Sequence, residues 1–378
     1  MTLPKYVQIK RHLLSQIASG DLRADERMPS ETELSGQFGV SRQTVRQALA
    51  ELEHEGWLYR IQGKGTFVRG GTGVAAAGAR TVGIVTTYIS DYIFPAIIRG
   101  AEAVLRERGY GMMLASTDND RNKERECLKR LSAYPLRGMI VEPTRSAEGR
   151  REITWYLELE RKGVPYVMIH ESYPELGCPV VKVDDEFGAF LATEHLVRLG
   201  HRRVAGMFKT DDLQGVYRLK GYLRALRQNG IAPDPDFVVR FESGDRSETP
   251  RRQAYEWLRK DAGARPTAIV CYNDEAALEV LEAVRACGMR VPDDLSVVGF
   301  DDSALAVASD VKLTTVAHPK EELGKTAAEL LIRLMERPAS AEPAADIGRP
   351  LREDEPLSVT FRPELVVRAS TAPPPSGG

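Results

Sequence analysis

The sequence predicts two α/β lobes, each a parallel sheet covered by helices, behind a small α+β head. Three observations predict this. From Thr81 onward, short apolar β-rich runs alternate with amphipathic stretches, the rhythm of a parallel sheet buried on both faces. That rhythm runs for about 290 residues, more than one sheet comfortably holds. Before Gly70 it is missing, and closely spaced helix starts and glycine turns take its place.

In the head, Ser30 and Glu33 have capping-box spacing, so a helix starts there. Leu34 and Phe38 give it an apolar stripe, and Gly39 ends it. Val40 is an apolar plug in the turn. Ser41 caps a second helix that buries Val45, Ala48, Leu49 and Leu52. Two short helices joined by a glycine turn make a helix-turn-helix. Arg42, Gln43, Thr44 and Arg46 crowd the exposed start of the second helix, the part that meets base edges in this motif. Arginine fits guanine O6/N7 and glutamine fits adenine N6/N7. A polar helix start is also a common solvated face, so the cluster alone reads either way. Leu58–Ile61 and Thr66–Val68 then read as strands around Gln62-Gly63-Lys64-Gly65. A hairpin with a basic tip beside such a helix is a wing, which reaches phosphates or the adjoining minor groove.

The segment Lys5–Arg69 resembles the winged helix-turn-helix of the GntR regulator family. The resemblance is carried by Leu3–Tyr6, Met28-Pro29-Ser30-Glu31, Val40–Arg46 and Gln62–Val68. It implies a DNA-binding head over residues 1–69, with Lys5, Glu31, Arg42, Gln43, Thr44, Arg46, Gln62 and Lys64 as DNA contacts. Two such heads in a homodimer would meet a pseudo-palindromic stretch of double-stranded operator DNA. Residues 70–80, rich in Gly and Ala without hydrophobic period, read as a flexible linker.

Composition bounds the rest. A chain of 378 residues has room for two or three domains. Its net charge of −2 does not advertise nucleic acid. Residues 1–70 hold ten Lys and Arg against eight Asp and Glu, a mild asymmetry that leaves the motif to carry the argument. The amino terminus lacks the apolar core of a signal peptide. No run approaches the roughly 20 apolar residues of a membrane span. A cytoplasmic protein without membrane partners is expected. Cys127, Cys178, Cys271 and Cys287 are scattered and read as reduced thiols, with no metal framework. There is no G-x-S-x-G elbow, P-loop or H-E-x-x-H, so neither an enzyme nor a cofactor is expected.

In the lobes, strands are expected at Thr81–Thr87, Met112–Ser116, Gly138–Glu142 and Pro165–Ile169, with helices around Ile97–Leu105, Leu128–Leu131 and Trp155–Leu159 between them. A second series follows Asp185. Its helices are Phe187–Leu199, Gly215–Arg227, Glu248–Arg259 and Glu275–Ala286, and its strands are Val204–Phe208, Phe237–Phe241, Ala268–Tyr272 and Ser296–Phe300. A last helix over Glu321–Met335 is counted with this second half.

Ligands of open parallel sheets bind beyond the carboxyl ends of the strands. Those ends carry Tyr88, Asp91 and Tyr92, then Glu142, His170, Asp184, Gln214, Arg218, Asn273, Asp301 and His318. Acceptors, donors and aromatic rings in one place suit a polyol, whose hydroxyls each donate and accept. Any one of these residues could instead cap the next helix, as Asn273 could. Their coincidence at strand ends makes a ligand-binding cleft between two lobes the expectation.

Residues from Thr81 to Ser370 resemble the effector domain of LacI/GalR-type regulators, a fold similar to periplasmic sugar-binding proteins. Val82–Val85, Gly138–Val141, Asp184-Asp185, Leu199-Gly200-His201, Tyr272-Asn273-Asp274, Pro292–Asp302 and Pro363–Arg368 carry this. The resemblance implies ligand contacts at Arg218, Asn273 and Asp301, with His170 and His318 beside them. A GntR-type head on such a domain is similar to an arabinose-responsive group of repressors, through Thr86–Pro95, Val141–Thr144, Asp211–Val216 and Cys271–Glu275. It implies a repressor of sugar-utilisation genes, with a monosaccharide effector, L-arabinose. Another sugar or a nucleoside in the same architecture, or a sugar-binding protein without DNA specificity, stays open. The expected layout is head 1–69, linker 70–80, ligand-binding and dimerisation domain 81–370 with an acidic insert at 339–356, and a disordered tail at 371–378.

Overall fold

The computed structural model describes residues 4–19, 21–23, 25–54, 57–61, 65–68, 80–149, 153–336 and 358–375. The linker residues 70–79, the insert at 339–356 and the wing-tip residues Gln62 and Lys64 lie outside the described residues.

The head consists of α1 (Lys5–Ser19), α2 (Glu31–Phe38), α3 (Arg42–His54) and the antiparallel pair β1 (Leu58–Ile61) and β2 (Gly65–Val68). The capping box forms: Ser30 Oγ accepts from Glu33 N at 3.3 Å, and Glu33 Oε2 accepts from Ser30 N at 2.7 Å. Gly39 ends α2 at φ +60°, which a side chain would resist. Ser41 Oγ accepts from Thr44 N at 3.2 Å and so starts α3. Ile9 and Leu13 of α1 pack with Leu34, Val45, Ala48, Leu52, Leu58 and Val68 into one apolar core, with Val40 against it. Helix α1 was not read from the sequence as an element, although Ile9 and Leu13 stand at i, i+4.

The large unit holds two six-stranded sheets. The first lobe has strand order β13-β7-β6-β5-β3-β4, and the second β14-β12-β11-β10-β8-β9. In the first lobe these are β3 (Thr81–Thr86), β4 (Gly111–Ser116), β5 (Leu136–Val141), β6 (Tyr166–Ile169), β7 (Val180–Val183) and β13 (Val359–Phe361). Helices α4 (Phe94–Glu107), α5 (Arg121–Leu131) and α6 (Thr154–Arg161) connect its first strands. In the second lobe, β8 (Val204–Lys209), β9 (Val238–Phe241), β10 (Ala268–Cys271), β11 (Ser296–Asp301), β12 (Thr314–Ala317) and β14 (Leu365–Val366) alternate with α7 (Asp185–Arg198), α8 (Leu213–Gln228), α9 (Glu248–Leu258), α10 (Asp274–Ala286) and α11 (Ala304–Ala308). Neighbours β7, β6 and β5, and β9, β8, β10, β11 and β12, pair in parallel; β14 runs antiparallel to β12. The strands read as unbroken apolar runs because both faces of each sheet are covered. Ile269, Val270, Val297 and Val298 are all essentially inaccessible.

The chain crosses between the lobes three times: from β7 into α7, from β12 into α12 (Lys320–Met335), and from β13 into β14. This corrects the sequential division into halves. Helix α12, expected with the second half, packs on α4, β6 and β7 of the first lobe. Glycines let the two helices touch: a Cβ on Gly100 would lie 2.0 Å from Glu321 O, and one on Gly324 2.0 Å from Ile97 O. The tail is also corrected at its start. Thr371 Oγ1 lies 3.0 Å from His195 Nε2, and Ala372 O receives Ser296 Oγ at 3.0 Å and lies 2.8 Å from His201 Nε2. These bonds fasten Thr371 and Ala372 to the second lobe.

Candidate ligand cleft and nucleic-acid interface

On the head, Arg42 and Gln43 stand exposed at the start of α3, and Lys5 is exposed at the start of α1. The Thr44 hydroxyl is shared with the cap, 2.9 Å from Ser41 Oγ. Arg46 Nη2 donates to Glu31 Oε2 at 2.8 Å, and Arg60 Nη2 of β1 reaches Glu31 Oε1 at 3.4 Å. Glu31 thus draws a guanidinium from the helix and one from the hairpin together. The bond from Arg46 holds the Glu31 carboxyl below its usual range. The result is a cationic face with a carboxylate fixed within it, suited to phosphates and base edges.

Between the lobes lies a cleft lined from both sides. Nine of the eleven ligand residues expected from sequence line it: Tyr88, Asp91, Tyr92, Glu142 and His170 from the first lobe, and Gln214, Arg218, Asn273 and Asp301 from the second.

Each is placed by local structure. Glu142 follows β5 and is buried. Its Oε2 accepts from Thr87 N at 2.7 Å and Thr87 Oγ1 at 2.6 Å, while Oε1 lies 2.7 Å from His170 Nδ1. Burial, the largest single influence, opposes charge on His170, but the hydrogen bond and charge of Glu142, with the charges of Asp185 and Asp301, together outweigh it and raise the imidazole's basicity. His170 Nε2 is buried at the cleft with no protein partner.

Arg218 is buried in α8. Its Nε donates to Asp185 Oδ1 at 2.7 Å, Nη1 to Tyr272 O at 2.6 Å, and Nη2 to Asp301 Oδ1 at 3.3 Å. The guanidinium stacks 3.6 Å from the Phe300 ring centroid and 4.7 Å from that of Tyr272. Burial disfavours its charge, yet Asp185 and Asp301 keep it protonated. Burial pushes Asp185 up to about 6, against the pull of Arg218.

Asp301 ends β11 at φ +94° and Tyr92 sits at φ +56°. Asn273 caps α10 through Ala276 N at 2.9 Å and also donates to Glu275 Oε2 at 3.2 Å, so capping and cleft lining coexist. At the mouth, Arg246 Nη1 reaches Tyr88 OH at 3.4 Å.

Two expected residues fall outside the lining. Asp184 caps α7 through Phe187 N at 2.9 Å, and its neighbour Asp185 turns inward to Arg218 instead. His318 lies behind His170, with ring centroids 5.3 Å apart and both nitrogens buried without a protein partner. Burial first, and then the nearby His170, depress its basicity.

Other lining residues were not among the expected ligand contacts, although the sequence also places Lys209 at a strand end. Lys209 ends β8 and pairs with Asp212 at 2.7 Å, and Tyr272 OH donates to Asp212 Oδ2 at 2.8 Å. Asn119, Ser243, Arg246 and Glu275 also face the cleft. The strand-end rule could have found Asn119 and Ser243, which follow β4 and β9. Chemically, the cleft offers donors, acceptors and aromatic faces around a small polar molecule. Among the described residues, no group of three or more His, Cys, Asp or Glu could hold a metal ion. No described helix is long and apolar enough to cross a membrane.

Comparison with known proteins agrees with both parts. Residues 5–68 match the bacterial regulatory proteins of the gntR family, and residues 193–371 match the periplasmic binding protein-like domain. The chain is 51% identical over 370 residues to the arabinose metabolism transcriptional repressor of Geobacillus stearothermophilus, covering 98% of each chain. It is 43% identical to the protein of that description from Halalkalibacterium halodurans, over 97% of this chain and 96% of that one. Similarity to the transcriptional repressor CytR of Escherichia coli is 32% over 267 residues, 70% of this chain and 76% of the other. In fold it is similar to the transcription regulator CcpA of Lactococcus lactis, with a TM-score of 0.64 and 23% identity over 78% of this chain and 99% of that one. At half identity over nearly the whole of both chains, with the gntR-type head and the periplasmic binding protein-like lobes each in place, the protein belongs to the family of the arabinose metabolism transcriptional repressors.

Proposed function

We propose that the protein is a cytoplasmic homodimeric repressor of sugar-utilisation genes that leaves operator DNA when L-arabinose binds the cleft. The observation that carries this reading is His170 Nε2. It is a buried polar atom at the cleft with no protein partner, among side chains already fixed by bonds to one another. Such an atom is costly unless a ligand or water supplies its partner. A sugar hydroxyl fits, because it can both donate to and accept from an imidazole nitrogen. Tyr88, Asp91, Tyr92, Glu142, Gln214, Arg218, Asn273 and Asp301 supply the remaining polar frame, and His318 steadies His170 from behind. On the head, Lys5, Arg42, Gln43, Thr44, Arg46, Gln62 and Lys64, with Glu31, contact the operator.

Closure of the lobes on the sugar then changes the geometry or freedom of the two heads. A tenfold to hundredfold loss of operator affinity needs about 1.4–2.7 kcal/mol of coupling between the sites. The aromatic residues Tyr88, Phe94, Phe241 and Tyr272 in the lining favour a second reading, in which the flat ring of a nucleoside enters the cleft. Calorimetric titration with L-arabinose, other pentoses, galactose and adenosine, alongside an operator gel shift, tests both. Binding and release of DNA by L-arabinose alone supports the first reading. Release by adenosine replaces it with the second.

A further inference from the structure

At the lips of the cleft the two lobes touch each other directly. In the first lobe, Asn119 follows β4 and Arg145 follows β5. In the second, Asp211 follows β8, and Glu242 and Ser243 follow β9. Asn119 Nδ2 donates to Ser243 Oγ at 2.7 Å and to Asp211 Oδ2 at 3.1 Å. Arg145 Nη2 donates to Glu242 Oε2 at 2.7 Å, and Nη1 lies 3.5 Å from Asp211 Oδ2. Beside them Leu213 N, an N–H at the start of α8 with no acceptor within the helix, donates to Ser146 Oγ at 2.9 Å.

Position gives these contacts leverage. Strands β4 and β9 are outer edges of the two sheets, while the crossings leave from β7, β12 and β13 toward the opposite edges. A rotation about the crossings therefore moves the lips farthest. Backbone strain marks the same place. Asn119 holds φ +54° and Arg145 φ +47°; asparagine tolerates this region, but for arginine it is costly and persists where the surroundings impose it. Asp211 is 1% exposed and lies between Lys209, 3.6 Å away, and Arg145 of the other lobe. A carboxylate buried this deeply needs both cations, and parting the lips removes one.

We propose that Asn119 and Arg145 latch onto Asp211, Glu242 and Ser243 as positioning residues, which set how much of the protein is closed. The latch tightens the hold on any ligand the cleft accepts, and couples it to DNA, without choosing which ligand that is. This rests on the effector function proposed above.

The test compares the full-length wild type with Arg145→Gln and Arg145→Lys. Arg145→Gln weakens L-arabinose binding in calorimetry about tenfold, through faster release in stopped flow, and Arg145→Lys recovers part of it. The ranking of pentoses stays unchanged, while operator affinity without sugar rises, because less of the protein is closed. Wild-type affinity and release rate in Arg145→Gln would overturn the latch. So would an altered ranking, which would put Arg145 on the ligand. Amide hydrogen exchange at Leu213 without sugar reads the latch independently: exchange speeds up in Arg145→Gln, and equal exchange overturns the proposal. Faster exchange in a protein that binds none of the sugars would keep the latch and reject the effector reading.

Discussion

Tyr92 of the first lobe donates its hydroxyl to Asp301 Oδ2 of the second at 2.7 Å, on the carboxylate whose other oxygen receives Arg218 at 3.3 Å. The same hydroxyl accepts from Asp274 N at 3.2 Å. Burial, and then the charge of Asp301, push the phenol's pKa well up, so it stays a donor. Asp301 is therefore held by one residue from each lobe, and it lines the cleft.

Removing that one hydroxyl tests the hold. Tyr92→Phe leaves Asp301 short of a donor, at a cost of about 1–3 kcal/mol. Sugar affinity in calorimetry falls roughly fivefold to a hundredfold. Operator binding in the absence of sugar is retained.

Asp301→Ala removes the shared acceptor altogether and leaves Arg218 with Asp185 as its one carboxylate partner. The variant stays on operator DNA at sugar concentrations that release the wild type. A gel shift titrated with L-arabinose reads this directly.

On the head, Arg42→Ala leaves the sugar isotherm unchanged and weakens specific operator binding. A lost bidentate base contact costs about 1–3 kcal/mol, so affinity falls roughly tenfold or more. Glu31→Gln acts differently. It loosens Arg46 and Arg60 from each other, and operator specificity falls while binding to unrelated DNA rises. Fluorescence anisotropy on operator and scrambled duplexes separates the two effects.

A buried carboxylate in the first lobe gives stability a pH dependence. Glu124 Oε1 accepts from Tyr156 OH at 2.6 Å and Tyr173 OH at 3.0 Å. Burial nevertheless pushes its carboxyl up to about 7. The folded protein thus favours the protonated acid. That contribution is fully present below the ordinary value near 4.5 and is lost as pH rises to about 7. The wild type therefore melts at lower temperature near pH 8 than near pH 5 through this group, by an amount worth up to about 3 kcal/mol. Glu124→Gln flattens that part of the profile in thermal melts.

Much of this was legible in the sequence because it is local. The capping box at Ser30 and Glu33 and the glycine stop at Gly39 depend on neighbours a few residues away, and they form as expected. The strands Val204–Lys209 and Ser296–Asp301 declare themselves by apolar runs. The strand-end rule likewise brings Glu142, His170, Arg218 and Asp301 to one cleft. What failed was long-range. Nothing near Glu321–Met335 says which lobe its apolar face will meet, because α12 finds its partner α4 more than two hundred residues earlier in the chain. Asp184 and Asp185 are indistinguishable in composition. Helix geometry makes the first a cap and turns the second to Arg218. Thr371 looked free because its partner His195 is also remote, 176 residues away in sequence.

The three crossings also set the order in which the protein can be made. The head's core is complete once Val68 has been synthesised. The first lobe is not: α4 has no α12 to cover it until synthesis reaches Met335, and its sheet has no β13 until Phe361. The second lobe waits only a few residues longer for β14. A nascent chain therefore carries a finished reading head well before either lobe is whole. The two lobes then finish almost together, and neither can be cut out or exchanged as a single continuous stretch.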